Sequence, residues 1–157
     1  MSLVTEETRA KATVYYGDKV CQEQTQRLLR EVGLPDGLLP LQDVVECGHV
    51  AETGFVWLKQ KKKTEHKFEK VGRLVSYATE VTAYAEPCKI KNLTGIKVKE
   101  LMIWLSISDV TVQRLQGDIV TFRANSGLTR TFPAAAFMIE GKDVTDDGER
   151  SGMKATA

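Results

Sequence analysis

With 157 residues, 42% of them hydrophobic and 27% charged, the chain has the make-up of one globular domain with room for a sizeable core. A formal charge of +1 supplies no overall pull toward nucleic acid or membrane, so any electrostatic partner has to be sought locally. Three cysteines, Cys21, Cys47 and Cys88, are odd in number and far apart, which argues against a disulfide framework and suits reduced, buried thiols.

The N-terminus, MSLVTEETRAK, is polar and acidic where a secretory signal needs an apolar stretch. The longest apolar runs, residues 101–105 and 134–139, are far too short to span a bilayer. The expectation is a cytoplasmic protein with no signal peptide or transmembrane segment. Residues 2–32 are rich in helix formers, and Val14, Cys21, Leu28, Leu29 and Val32 fall on one helical face. This predicts an N-terminal amphipathic helix, divided at Gly17, with Asp18 capping its second half. Gly33 ends the helix and Pro35 forbids its resumption, leaving residues 33–40 as a stiff linker whose leucines dock on the core.

From residue 41 the hydrophobic period changes to two. Residues 41–50, 54–59, 66–71, 74–86, 97–109, 118–124 and 128–132 each read as a strand bounded by turn residues. The clearest is 74–86, where Val75, Tyr77, Val81, Ala83 and Ala85 alternate with Ser76, Glu80, Thr82 and Tyr84. In 97–109, Val98, Leu101, Ile103, Leu105 and Ile107 read as inward, with one extra residue before Leu101 implying a bulge. Short connections predict antiparallel neighbours. The fold class that results is α+β: a strongly curved antiparallel sheet or barrel of about seven strands, with the N-terminal helix packed against it. The chain divides into a helix over 1–33, a β domain over 34–140 and a disordered tail over 141–157, all within one domain.

Candidate chemistry is sparse. His49 and His66 have no cysteine, histidine or carboxylate at metal-ligand spacing, so no metal or cofactor site is read. Ser76 is mid-strand, Ser126 lies in an ordinary Asn-Ser-Gly turn, and no nucleophile elbow or phosphate loop occurs, so no catalytic residue is assigned. One feature exceeds this background: Lys59, Lys61, Lys62, Lys63, Lys67, Lys70 and Arg73 face only Glu65 and Glu69 between residues 59 and 73. Lysines at a hairpin tip keep a sheet edge soluble. They also suit peripheral docking on an anionic membrane surface. Nucleic acid is not expected, because the exposed aromatics of a single-strand binder are missing. Trp57 and Trp104 join the candidate ligand-binding residues, since Trp104 is out of phase with Ile103 and Leu105 and gives its strand a second apolar face.

The blocks GLLPLQDVVECG, TGFVWLKQKKKTEHKF, VSYATEVTAYAE, LTGIKVKELMIWLSISDV and GLTRTFPAAAF resemble the plant domain-of-unknown-function 538 family, from the YYGD segment near Tyr15 to about Phe137. The resemblance implies a plant protein, with a curved antiparallel sheet or barrel and a helix, likened to the lipid-binding bactericidal/permeability-increasing proteins. It supplies no agreed activity; roles suggested for the family run from apolar-ligand binding to ester hydrolysis and stress response. The leading expectation is a non-enzymatic binder of lipid or another small apolar ligand. The alternatives are an ester hydrolase using Ser76 or Ser126 with His66, and a protein-interaction module using the N-terminal helix.

Overall fold

The computed structural model describes residues 2–115 and 117–139 and, beyond them, two short paired strands, β10 (Asp146–Gly148) and β11 (Gly152–Met153). The rest of the tail expected to be disordered, over 141–157, lies outside the described residues.

Nine strands form one antiparallel sheet: β1 (Thr13–Tyr16), β2 (Val44–Val50), β3 (Phe55–Gln60), β4 (Thr64–Phe68), β5 (Arg73–Glu86), β6 (Lys89–Glu100), β7 (Ile103–Leu115), β8 (Gly117–Ala124) and β9 (Thr129–Pro133). The sheet is open, running from β1 to β9, so the barrel alternative is set aside. Two differences raise the count from seven. Residues 97–109 are not one bulged strand: β6 pairs with β7 up to Glu100 opposite Ile103, and Leu101 and Met102 form a two-residue turn between them. Leu101 and Ile103, read as inward, are exposed. The segment TVYY, read as helix, is the edge strand β1, held in register by β2 with Tyr15 opposite Cys47.

The N-terminal helix is correspondingly shorter. A single turn, α1 (Glu6–Ala10), is capped by the Thr5 hydroxyl, which accepts from Thr8 N at 3.1 Å. The main helix, α2 (Asp18–Val32), starts after Gly17 and ends at Gly33, whose φ of 88° is the left-handed conformation that glycine adopts without penalty. Asp18 does not cap α2 as expected. Its Oδ1 accepts from Val44 N at 2.9 Å and so ties the helix start to β2.

Strand β5 organises the sheet. From Val75 to Glu86 it pairs with β6 on one edge, while β3 pairs with its second half (residues 80–84) and β4 with its first half (residues 73–77) on the other. The inward face is as read, with Val75, Tyr77, Val81 and Ala83 in the main core; the other face, read as polar, is covered in part, because Ser76 and Thr82 are buried and Tyr84 joins a smaller cluster there. That smaller cluster, around Val50, Phe55 and Trp57, is covered by the N-terminal segment through Val4, Ala12 and Val14.

Curvature follows from the contacts of Phe137, in the 3-10 turn Ala134–Phe137. Its ring lies 5.0 Å from Phe68 of β4 and 5.2 Å from Phe122 of β8. In a flat sheet those strands would stand about 19 Å apart, four strand spacings, so the sheet must curl around the core for one ring to touch both. The linker 33–41 lies on the same core: Leu34, Leu38 and Leu41 are buried, and Tyr77, itself enclosed, donates its hydroxyl to Leu38 O at 2.9 Å. Asp36 joins three elements, pairing with Arg30 of α2 at 3.4 Å and accepting from Ile139 N at 2.9 Å.

Candidate functional site

Between α2 and the sheet the packing leaves a hollow of about 150 Å³. Helical spacing brings Leu28, Leu29 and Val32 of α2 to one side of it, Val56 and Leu58 of β3 and Ile90 of β6 to another, and Leu34 and Leu39 of the linker close it. Tyr15, Gln24, Thr25 and His49, all half-buried, also line it. The hollow exists because α2 rests on β1 and β2 at one margin of the sheet while the linker returns across the core, leaving the surface over β3 partly uncovered. A second cleft, at the far end of the curl between Val71, Val98, Leu105, Phe122, Leu128 and Phe132, holds only about 30 Å³. That is space for about one water molecule, whereas about 150 Å³ of apolar space accommodates a benzene-sized ring.

The lysine-rich stretch is rearranged relative to expectation. Lys61, Lys62 and Lys63 do not sit at a hairpin tip; they form the step between β3 and β4, which lie end to end on the same edge of β5, and Lys61 N donates to Asp43 O at 3.2 Å. All three are exposed. Lys59 pairs with Glu80 at 3.9 Å and Arg73 with Glu100 at 3.4 Å. Lys67 and Lys70 lie toward the β4–β5 turn, at a different end of the molecule from the hollow. The seven basic residues therefore do not form one patch.

The tryptophans part company as well. Trp57 is 1% exposed; its Nε1 donates to Glu46 Oε2 at 2.9 Å, and Arg9, ion-paired to the same carboxylate, stacks 5.6 Å above its ring. Trp104 is half-buried, with Lys99 Nζ 5.8 Å from its ring.

The suspects for acid-base chemistry stay apart. Ser76 is buried on β5 opposite Glu65, and His66 is opposite Val75, one residue out of phase, so the two side chains leave opposite faces of the β4–β5 pair. His66 is exposed and packs its ring edge-on to Phe68 at 4.6 Å. Ser126 lies in the exposed β8–β9 turn, where its Oγ accepts from Leu128 N at 3.4 Å. Cys21 of α2 and Cys47 of β2 are buried side by side between helix and sheet, and burial pushes both thiols above their ordinary range, away from the thiolate a nucleophile needs. Among the described residues no group of three or more His, Cys, Asp or Glu is placed to hold a metal ion, and no helix is long and apolar enough to cross a membrane.

Of the residues that line the hollow, the sequence points to Trp57 as a ligand-binding candidate and to His49 as an acid-base suspect, and it singles out none of the others for binding. Leu28, Val32 and Leu39 read there only as core, and Val56 and Ile90 carry no motif; what marks them is the convergence of four elements.

Fold and site together define an α+β protein built on one open, curled antiparallel sheet, with an apolar hollow under the helix α2. The chain belongs to the family described as protein of unknown function, DUF538, whose model matches residues 25–138. The match starts within α2 and ends one residue past Phe137, so it spans the long helix's second half, the linker, β2 to β9 and the 3-10 turn. No curated protein and no solved structure matches the chain.

Proposed function

We propose that the protein is a non-enzymatic binder of small apolar molecules, and that the ligand lies in the hollow between α2 and the sheet. The observation that carries this is the hollow's combination of size and lining: about 150 Å³ walled mainly by apolar side chains, among them Leu28, Val32, Leu39, Val56, Leu58 and Ile90, with a few polar ones beside them. An apolar concavity of this size that is open to solvent keeps aliphatic surface wet, and an apolar ligand seated there would remove that surface from water. The arrangement suits a ring or a short branched chain that can present one hydrogen-bonding group to Gln24, Thr25 or His49. A long acyl chain would require α2 to lift from the sheet, so the lipid reading narrows to compact apolar molecules, in keeping with the ligand binding suggested for the family.

Titration with a naphthalene-type fluorophore tests the site. Saturable binding is expected, weakened about tenfold or more by Leu28→Trp, which fills the hollow from the helix side. A parent protein that shows no saturable binding, or a Leu28→Trp variant that binds equally well, would remove the proposal. Activity-based labelling with a fluorophosphonate is expected to leave Ser76 and Ser126 unmodified.

A further inference from the structure

The β6–β7 turn carries the three most exposed large aliphatic side chains of the described residues: Leu101 is 90% exposed, Met102 86% and Ile103 63%. Local folding does not account for them. Leu101 adopts a φ of 58° while Met102 keeps a negative φ, an arrangement in which glycine is the ordinary first residue of a two-residue hairpin. A leucine there bears the cost of the left-handed region and buries nothing in return.

Two further turns stand at the same end of the sheet. The pairing of Val75 with Val98 sets the β4–β5 turn beside the β6–β7 turn, and Asn125 N donates to Ser106 O at 2.8 Å, which places the β8–β9 turn on its other side with Leu128 exposed. This end is also where the chain's positive charge gathers. Within three residues of the three turns lie Lys67, Lys70, Arg73, Lys99, Arg123 and Arg130 against Glu69 and Glu100 alone, six basic groups to two acidic, while the whole chain carries +1. Glu100 is spanned by Arg73 at 3.4 Å and Arg130 at 3.3 Å, so its charge is met from both sides.

From these observations we infer that the three-turn end is a docking surface for an anionic lipid bilayer, with Leu101, Met102 and Ile103 entering the interfacial layer and the surrounding lysines and arginines meeting the headgroups. Exposed aliphatic side chains ringed by basic ones match a surface that is apolar inside and negative outside. Trp104, next to the inserted residues and half-buried under Lys99, lies at the level where an indole's apolar ring and N–H are both satisfied. The surface is separate from the hollow under α2 and does not depend on a ligand there.

Vesicles provide the test, and the protein carries its own reporter. Of its two tryptophans, Trp57 is enclosed, so a change in emission on mixing reports Trp104. Sedimentation with phosphatidylcholine vesicles containing about 30% phosphatidylserine is expected, with a blue shift of the emission, and both are expected to fade on phosphatidylcholine alone or at about 0.5 M salt. The double variant Leu101→Gly/Met102→Ser relieves the turn, so its melting temperature should be equal or higher, while its vesicle affinity falls about tenfold or more. Equal binding to both vesicle types, or unchanged affinity in a folded double variant, overturns the inference. So does a parent protein that ignores vesicles but self-associates through these residues in sedimentation velocity, which would make the turn a protein interface instead.

Discussion

Gly48 stands opposite Trp57 across the β2–β3 pair, and a methyl group at position 48 would fall 2.2 Å from the indole ring. The close approach explains why the strand carries glycine at a buried position without a positive φ: the space its side chain would take is filled by the ring. Gly48→Ala is expected to cost about 1–3 kcal/mol, as overpacking does in a filled core. The cost should shrink in a Trp57→Phe background, where the smaller ring leaves room, and a double-mutant cycle read by urea unfolding measures that coupling.

Beneath the same indole, Glu46 is a nearly enclosed carboxylate with two partners, Trp57 Nε1 and the Arg9 guanidinium. Arg9→Met keeps much of the side chain's packing over the ring but leaves the carboxylate with one neutral donor. A loss of about 1–3 kcal/mol is expected, the cost of stranding a desolvated group. Glu46→Gln keeps an acceptor for the indole and removes the buried charge, so it should cost less than Arg9→Met; the order of the two urea midpoints decides the matter. Arg9 and α1 precede the matched family region, so this clasp is supplied by the segment outside it.

Where β3 gives way to β4, the gap along β5 is bridged by one side chain. Gln60 Nε2 donates to Tyr77 O at 2.9 Å and Ala78 O at 3.0 Å, while its Oε1 accepts from Gln42 N at 3.2 Å and Thr64 Oγ1 at 3.3 Å. The amide thus does for the interrupted edge what a continuous strand would have done. Gln60→Leu, similar in volume, leaves these groups without their partner and should lower stability by about 1–3 kcal/mol. Replacing Lys61, Lys62 and Lys63 together by glutamate, in the adjoining step, touches only exposed side chains and should shift the melting temperature far less.

How much of this was legible varied with the physics of each segment. The inward face of strand β5 was readable because Val75, Tyr77, Val81 and Ala83 all enter one core, whereas the burial of Ser76 and Thr82 on its other face depends on what packs over them and has no local signal. The β6–β7 turn was hidden because Leu101 and Met102 are apolar where turns carry glycine or asparagine, and an apolar run reads as strand. Strand β1 was hidden because a four-residue edge strand owes its conformation to β2, while its neighbours are helix formers. The lysine step was misplaced because nothing local says that one long strand is shared end to end by two short ones. The hollow could not be read at all, since it is made of α2, β3, β6 and the linker meeting in space.

Buried acids also give the protein an alkaline limit. The Cys47 thiol, pushed above its ordinary value of 9.0 mainly by burial, and the enclosed Tyr77 phenol, pushed above 10.0 by burial, both hold their protons in the folded state at pH values where the unfolded chain would release them. The unfolded state therefore binds fewer protons above those ordinary values, and stability must fall as pH rises. Their contribution is complete below about pH 9 and declines above it by up to about 1.4 kcal/mol per pH unit for each group. The melting temperature should accordingly be level from neutral pH to about 8.5 and drop beyond about 9, with a shallower drop in Cys47→Ala. Thiol reactivity supplies an independent reading at pH 8. Cys88 is half-exposed beside the Arg114 guanidinium and should react first with Ellman's reagent, while Cys21 and Cys47 should react only once denaturant opens the space beneath α2. Fast modification of all three thiols in the native protein would mean that the helix does not seal β2 as described, and the Cys47 share of the alkaline transition should then disappear with it.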